Sequence, residues 1–481
     1  MNIVDVIRRE TELFGHATAV KDVSGSISYR ELFAGVDRMA CELRSQRIEK
    51  GQRVALLCHE GTDYIVVTLA VLAVGAVMVP VPYPSSDFEI ETLLKEMRVH
   101  ILIYDRTIYR QAAKDPVLAG TFFDRNLSVF FLKEQAFDPD AYFALNPAFI
   151  RFTSGTTGSS KGVVLSHEAI LARTDAAAAG LDVKAGDIII WVLSMAYHFV
   201  VTILLFLRRS ATIVLCNRDF PEALWKGLKD HRATWMYATP FHYQAMTTSD
   251  AFTREMLAGV RRAVSTATRL SEVIARAFYE KFNVELSQAY GIIEVGLPCL
   301  NSSGEMTKRG SVGKILPGFE MRIDRADGDG IGVIQVKGPG MFDAYFTPWK
   351  TRHELQPDGW FNTGDLGRLD SEGFLFLMGR EKQMINFMGM KIFPAEVENV
   401  LQQYPSIEEV QVYGVDHPSY GQLPVAKILL RKGSDLFDES DLRKFCYRRL
   451  SKYKVPKVFE RVALLEKTRS GKALLKGKTG N

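Results

Sequence analysis

A chain of 481 residues is too long for one ordinary core and predicts two or three folding units. Hydrophobic residues at 47% and charged residues at 24% are an ordinary globular composition, and a net charge of +4 with both signs interspersed gives no electrostatic case for nucleic acid or acidic lipid. The five cysteines are scattered, with no CxxC and no Cys/His cluster, which argues against a disulfide framework or structural zinc.

The opening MNIVDVIRRETELFG reads as an amphipathic helix containing acids rather than a signal peptide. Beyond it, short apolar strands alternate with helices. Arg53–Leu57, Ala76–Val81, Ile101–Tyr104 and Thr212–Leu215 read as buried strands; Asp63–Val74, Phe88–Met97, Glu168–Ala179 and Leu270–Phe282 read as helices. That rhythm predicts parallel sheets with helices on both faces. The apolar runs Ile65–Val81 and Ile188–Leu207 are interrupted by Gly75 and Pro80, and by Ser194 and His198, so buried helix and strand are expected rather than membrane spans. A cytoplasmic location follows as the expectation.

From about Gly310 the pattern changes to strand-turn-strand: Met321–Ile323, Gly332–Val336 and Phe374–Leu377, separated by Gly, Pro and Asp turns, predict a smaller antiparallel sheet or barrel. After Gly379-Arg380 a further unit holds the helices Glu396–Tyr404 and Glu439–Leu450 and the strands Val410–Gly414 and Val425–Leu430, then a basic tail from Arg448 to Lys478. About 100 residues suffice for an independent α+β domain.

The most informative stretch is Phe152–Val163, FTSGTTGSSKGV, which gathers three glycines, six Ser/Thr hydroxyls and a lysine after an apolar run. Glycines let successive N–H groups turn toward one point, and hydroxyls and lysine add donors and charge, a combination suited to a triphosphate. It is not a Walker loop. Ser160 stands where glycine should precede the lysine, and Gly162 stands where a Ser/Thr should bind magnesium.

Four further segments accompany the loop: Ser287–Glu294 (SQAYGIIE), Gly359–Gly367 (GWFNTGDLG), Gly379–Glu398 (GREKQMINFMGMKIFPAEVE) and Leu465–Leu474 (LEKTRSGKAL). In this order and spacing the chain resembles, over essentially its whole length, the adenylate-forming superfamily of acyl-CoA synthetases, firefly luciferase and peptide-synthetase adenylation domains. The resemblance implies an α/β fold: a large N-terminal domain, residues 1–379, of two doubly wound sheets plus a small β-barrel, and a smaller mobile α+β C-terminal domain, residues 380–481. The implied reaction has two halves. A carboxylate attacks the α-phosphorus of ATP to give an acyl-adenylate and pyrophosphate, and a thiol then displaces AMP. Bringing an anion to a polyanion calls for positive charge, a metal and tight positioning.

By resemblance, Thr153, Ser154, Gly155, Thr156, Thr157, Gly158 and Lys161 hold the β- and γ-phosphates. Tyr290 stacks on adenine, Gly291 admits the backbone close to the nucleotide, and Ala267 belongs to the same nucleotide site. Glu294 holds Mg²⁺, a hard carboxylate for a hard ion. Asp365 accepts from the ribose hydroxyls, and Arg380 contacts ribose or phosphate. Lys382 matches the hinge about which the small domain pivots. Lys472, chosen from the basic tail by the TxSGK pattern, bridges the carboxylate and the α-phosphate. His198 borders the acyl pocket and is a catalytic candidate; Phe199, Gly291, Val295, Gly296 and Leu297 complete the pocket set. Taken without the family, most of these have bland readings: a lone histidine in an apolar run is commonly a satisfied core residue, and TGD is a common turn.

Tyr197-His198-Phe199 supplies no aspartate for an amino group, so an apolar or aryl acid is expected over an α-amino acid. The chain departs from the family pattern at Ile293, where Thr or Ser usually precedes the glutamate, at Ser265–Leu270, which replaces a Gly-Gly-Ala-Pro-like run, and at Glu466, where proline is common. Thr266 or Thr268 is a candidate to replace the hydroxyl missing at Ile293. The leading expectation is an ATP- and Mg²⁺-dependent acid–thiol ligase with CoA as acceptor. A phosphopantetheinyl carrier protein is the alternative acceptor, and a degenerate nucleotide- or acyl-binding protein the alternative class. The chain ends soon after Lys472, so no attached carrier domain is expected.

Overall fold

The computed structural model describes residues 1–83, 85–109, 127–132, 140–153, 161–388, 390–418, 420–431, 433 and 438–465. Two large mixed sheets dominate. The eight-stranded sheet runs Lys350–Thr351, Ala344–Tyr345, Lys161–Ser166, Pro147–Thr153, Val77–Pro80, Arg53–Leu57, Ile101–Asp105, Leu127–Phe131. Its four consecutive strands from Pro147–Thr153 to Ile101–Asp105 are parallel, with antiparallel strands outside them.

The parallel strands are mostly apolar because they are buried on both faces. Val54, Leu56, Met78, Ile101 and Ile103 enter the main core, while Ala55, Leu57, Val77, Val79 and Leu102 enter a second core on the other side. The two-residue side-chain period of a strand divides one short run between two cores.

The nine-stranded sheet runs Lys314–Ile315, Gly296–Asn301, Leu286–Ile292, Arg262–Ser265, Trp235–Ala238, Ile188–Trp191, Thr212–Leu215, Thr18–Asp22, Gly25–Ser28. Its interior is parallel and both ends are antiparallel. The main core, with Trp191, Trp235 and Phe206 fully buried, draws on both large sheets.

Expected elements are present, and most differ from expectation at their ends for local reasons. The helix expected at Phe88–Met97 is Asp87–Glu96, set by a capping box between Ser86 and Glu89. The helix expected from Leu270 is Glu272–Phe282, because the Ser271 hydroxyl accepts the Val273 N–H and fixes the start there. The helix expected at Glu396–Tyr404 is Pro394–Leu401, beginning on a proline whose missing N–H costs nothing in a first turn. Among the described residues no helix is long and apolar enough to cross a membrane.

The turn-rich region is an open four-stranded antiparallel sheet, Glu320–Asp324, Gly332–Lys337, Phe361–Leu369, Leu375–Arg380, among the described residues. The β-barrel expected there is corrected to this open sheet: Glu320–Asp324 and Leu375–Arg380 are its two edges and do not pair with each other. Beyond it, Ile385–Phe387, Met390–Ile392, Ile407–His417, Gly421–Leu430 and Val458–Arg461 form a sheet with a separate core, including Ile392, Val397, Leu401, Val412, Ile428 and Leu442.

Candidate active site

Three residues from different motifs converge at the small sheet. Asp365 and Arg380 are register partners on adjacent strands, and Arg380 Nε donates to Asp365 Oδ1 at 2.7 Å. The other carboxylate oxygen, Oδ2, accepts from the Tyr290 hydroxyl at 2.7 Å. The Tyr290 strand belongs to the nine-stranded sheet, so this carboxylate ties the two sheets together. Burial and the Asp365 charge raise the Tyr290 pKa well above its ordinary value, which keeps the phenol a donor. The Thr363 hydroxyl accepts the Asp365 N–H at 3.1 Å, and Arg380 also donates to the Thr363 carbonyl at 3.2 Å.

Glu294 lies in the turn joining the antiparallel strands Leu286–Ile292 and Gly296–Asn301. The turn is tight: a Cβ at Gly291 would come within 2.6 Å of the Gly296 carbonyl oxygen, and Gly296 has a φ of +99°. Gly291 therefore has a structural reason within the hairpin itself. Arg173 fixes the turn from behind, donating to the Ile293 carbonyl at 2.9 Å and to the Gly340 carbonyl at 2.6 and 2.8 Å. Gly340 has a φ of +67° and would place a Cβ 2.3 Å from the Arg173 backbone nitrogen, so that approach requires glycine. Burial pushes the Arg173 pKa down to about 10, leaving it fully charged at neutral pH.

Tyr345 links Glu294 to Lys161. Its hydroxyl donates to Glu294 Oε1 at 3.2 Å, and Lys161 Nζ lies 4.5 Å from the centre of its ring. Burial and the Glu294 charge raise the Tyr345 pKa. Among the described residues no group of three or more His, Cys, Asp and Glu side chains could hold a metal by itself. A single half-buried carboxylate near a lysine fits magnesium that takes its remaining ligands from substrate phosphates and water.

The segment carrying His198 is a short helical turn, Met195–His198, followed by a π-helical turn, Phe199–Ile203. His198 is half-buried, with its ring edge-on to Trp191 at 6.3 Å. Trp191 stacks on Tyr237 at 5.7 Å. Phe199, expected in the pocket set, is buried in the main core and stacked on Phe149 at 6.1 Å; Val295 and Leu297 are buried in the same core. Ala267 adopts a φ of +69°, in the left-handed region that favours glycine.

Ser154, Gly155, Thr156, Thr157, Gly158 and Lys472 lie outside the described residues. Thr153 ends its strand opposite Lys161 in register, which places both flanks of the loop on one hairpin. Lys382 is exposed on the single turn Glu381–Gln383, between the small sheet and the separate C-terminal core. Sequence reasoning missed Tyr345, Arg173 and Arg151, whose guanidinium donates to the Tyr197 carbonyl beside His198. The one available signal was charge in apolar surroundings: Arg151 within FIRFT, and Arg173 in an alanine-rich helix.

The family model for the AMP-binding enzyme matches residues 7–346, and that for the AMP-binding enzyme C-terminal domain matches residues 396–472. The chain belongs to the AMP-binding enzyme family. As a member it is an AMP-forming acid–thiol ligase. It is 29% identical over 489 residues to a feruloyl-CoA synthase of an Amycolatopsis species, covering 98% of this chain and 96% of that one. To a long-chain-fatty-acid–CoA ligase of Mycobacterium tuberculosis it is 26% identical over 463 residues, covering 93% and 92%. The ATP-bound structure of MatB from Rhodopseudomonas palustris superposes with a TM-score of 0.83 at 24% identity, covering 98% of this chain and 97% of that one, a likeness of fold. This AMP-binding enzyme therefore shares the adenylate-forming architecture that its motifs implied.

Proposed function

We propose that this enzyme converts an apolar or aryl carboxylic acid, ATP and CoA into the acyl-CoA, AMP and pyrophosphate. In the first half, a carboxylate oxygen forms a bond to the α-phosphorus as the bond to pyrophosphate breaks. In the second, the thiol sulfur attacks the acyl carbonyl carbon, the bond to AMP breaks, and the thiol proton is lost. The observation that carries the reading is the convergence of Tyr290, Asp365 and Arg380 in one hydrogen-bonded group, because each was selected from a separate nucleotide motif. Two relatives that activate an aryl and an alkyl acid, by their names, support a CoA ligase for such acids.

In this reading Asp365 accepts from ribose hydroxyls and Arg380 contacts ribose or phosphate. Tyr290 packs on adenine, while Thr153 to Gly158 and Lys161 cradle the departing pyrophosphate. Glu294 would hold Mg²⁺, which neutralises phosphate charge when bound. Lys472 bridges the carboxylate and the α-phosphate in the adenylating arrangement, and residues 380–481 pivot about Lys382 between the two half-reactions. His198, with Gly291 and Gly296, borders the acid.

The acceptor is tested by supplying the enzyme with ATP, Mg²⁺ and acids of graded size, with either CoA or a holo-carrier protein, and detecting the thioester. Thioester on CoA is the expected product. Thioester on the carrier alone would overturn the CoA assignment, and no activation of any acid would favour a binding protein.

A further inference from the structure

The turn that carries His198 is held at both ends by charged side chains that the reaction described above does not use. Glu60 follows the strand Arg53–Leu57 of the eight-stranded sheet, whereas Ser194 and Asn217 follow Ile188–Trp191 and Thr212–Leu215 of the nine-stranded sheet. Glu60 Oε1 accepts from the Ser194 hydroxyl at 2.5 Å and, more loosely, from the Ala196 N–H at 3.4 Å. Its Oε2 accepts from Asn217 Nδ2 at 2.7 Å. At the other end, Arg151 Nη1 donates to the Tyr197 carbonyl at 2.6 Å, with the guanidinium carbon 5.1 Å from the Tyr197 ring centre.

A desolvated carboxylate is costly unless donors surround it. Burial raises the Glu60 pKa, and the bonds from Ser194, Asn217 and Ala196 oppose that rise. The Ser194 hydroxyl, at the N-terminal end of the Met195–His198 turn, makes no capping bond to that turn and goes to Glu60 instead. Each Glu60 oxygen accepts from a donor that follows a strand of the nine-stranded sheet, so the carboxylate ties the end of one large sheet to the other.

We propose that Glu60 is a positioning residue for the acid-binding wall. It fixes the Ser194–His198 segment across the gap between the two large sheets, and so sets where the acid rests relative to the nucleotide. The inference depends on the reading that His198 borders the acid.

The test uses the full-length enzyme and its E60A, E60Q, S194A and H198A variants. ATP–pyrophosphate exchange is measured with whichever of benzoate, cinnamate or octanoate the parent enzyme activates best. E60A is expected to raise the acid KM at least tenfold while the ATP KM stays within twofold. E60Q, which keeps an acceptor for Ser194, should recover part of the loss, and S194A should raise the acid KM severalfold. If E60A does not fold, E60Q and S194A carry the same comparison. An H198A variant with altered acid KM beside unchanged E60 and S194 variants would overturn the role of Glu60 alone. Unchanged acid KM in all of them would overturn the pocket reading and this inference together. Equal losses in acid KM and ATP KM would reduce Glu60 to a general stabiliser and also overturn the proposal.

Discussion

Asp365 and Arg380 face each other across neighbouring strands of the small sheet and close a 2.7 Å ion pair, at the last residue before the Glu381–Gln383 turn that holds Lys382. The pair is half-sheltered: the Asp365 side chain is 10% exposed and that of Arg380 37%. The residue proposed to grip ribose is therefore held by the last strand residue before the proposed hinge.

Replacing the carboxylate tests that placement. Asp365→Asn keeps a similar shape but removes the charge that orients Arg380 and accepts from Tyr290. A charged hydrogen bond of this kind contributes about 1.5–3 kcal/mol, so the ATP KM should rise roughly 10- to 100-fold while the acid KM changes little. Steady-state kinetics with each substrate varied in turn checks it, and an unchanged ATP KM would remove Asp365 from the nucleotide site.

Ile293→Thr restores the hydroxyl that the family pattern places beside the glutamate. The backbone there is pinned by Arg173 through the Ile293 carbonyl, so the new side chain should not displace Glu294. Thr266 and Thr268, the candidate substitutes for that hydroxyl, lie on the segment after Arg262–Ser265, at a different strand end from the Glu294 turn. The adenylation rate should therefore increase, by about tenfold or more if the added donor reaches the developing charge. Rapid-quench measurement of acyl-adenylate formation checks this; an unchanged or lower rate would show that the site does not lack a donor.

Glu398 makes stability depend on pH. It accepts the Val412 N–H at 2.8 Å, and burial pushes its pKa up to about 7 from 4.5, with that hydrogen bond and the Arg269 charge acting the other way. An acid whose pKa is higher in the folded state favours folding while protonated. Its contribution is full below about pH 4.5 and is lost as pH rises through about 7. Glu398→Gln, which keeps an acceptor, should flatten the thermal-stability profile across that interval and be the more stable form above it, by at most about 3 kcal/mol. A profile that keeps the parent slope would place the titration elsewhere.

In the proposed cycle Lys472 and Lys382 separate the two half-reactions. Lys472→Ala should cripple adenylation by several orders of magnitude while sparing thioester formation from supplied acyl-adenylate. Lys382→Pro, which stiffens the turn, should do the reverse. Single-turnover assays of each half distinguish these outcomes; equal loss of both steps in either variant would contradict the assigned role.

The parts of this architecture that were legible in the sequence are those governed by local chemistry. Arg53–Leu57 and Thr212–Leu215 coincide with the expected strands because a strand buried on both faces is apolar over nearly its whole length. Tyr290, Asp365 and Arg380 were each visible in their own motif, although nothing local shows that one carboxylate joins them. Tyr345 was not legible, since it occupies a two-residue strand without a motif, and it matters only because folding brings it between Lys161 and Glu294. Glu60 and Ser194 are 134 residues apart, beyond any local pattern. The turn-rich stretch identified antiparallel strands correctly, but closure into a barrel depends on whether the edge strands meet, which turn chemistry does not determine.

In the proposed reaction a carboxylate attacks the α-phosphorus of ATP at this site. Acid-dependent exchange of labelled pyrophosphate into ATP, with Mg²⁺ present and thiol absent, tests it most directly. Exchange is expected with apolar or aryl acids, with none in the absence of acid, and is expected to be lost in Lys472→Ala. Absence of exchange across aryl and alkyl acids of graded size, or exchange that proceeds without acid, would contradict that reaction.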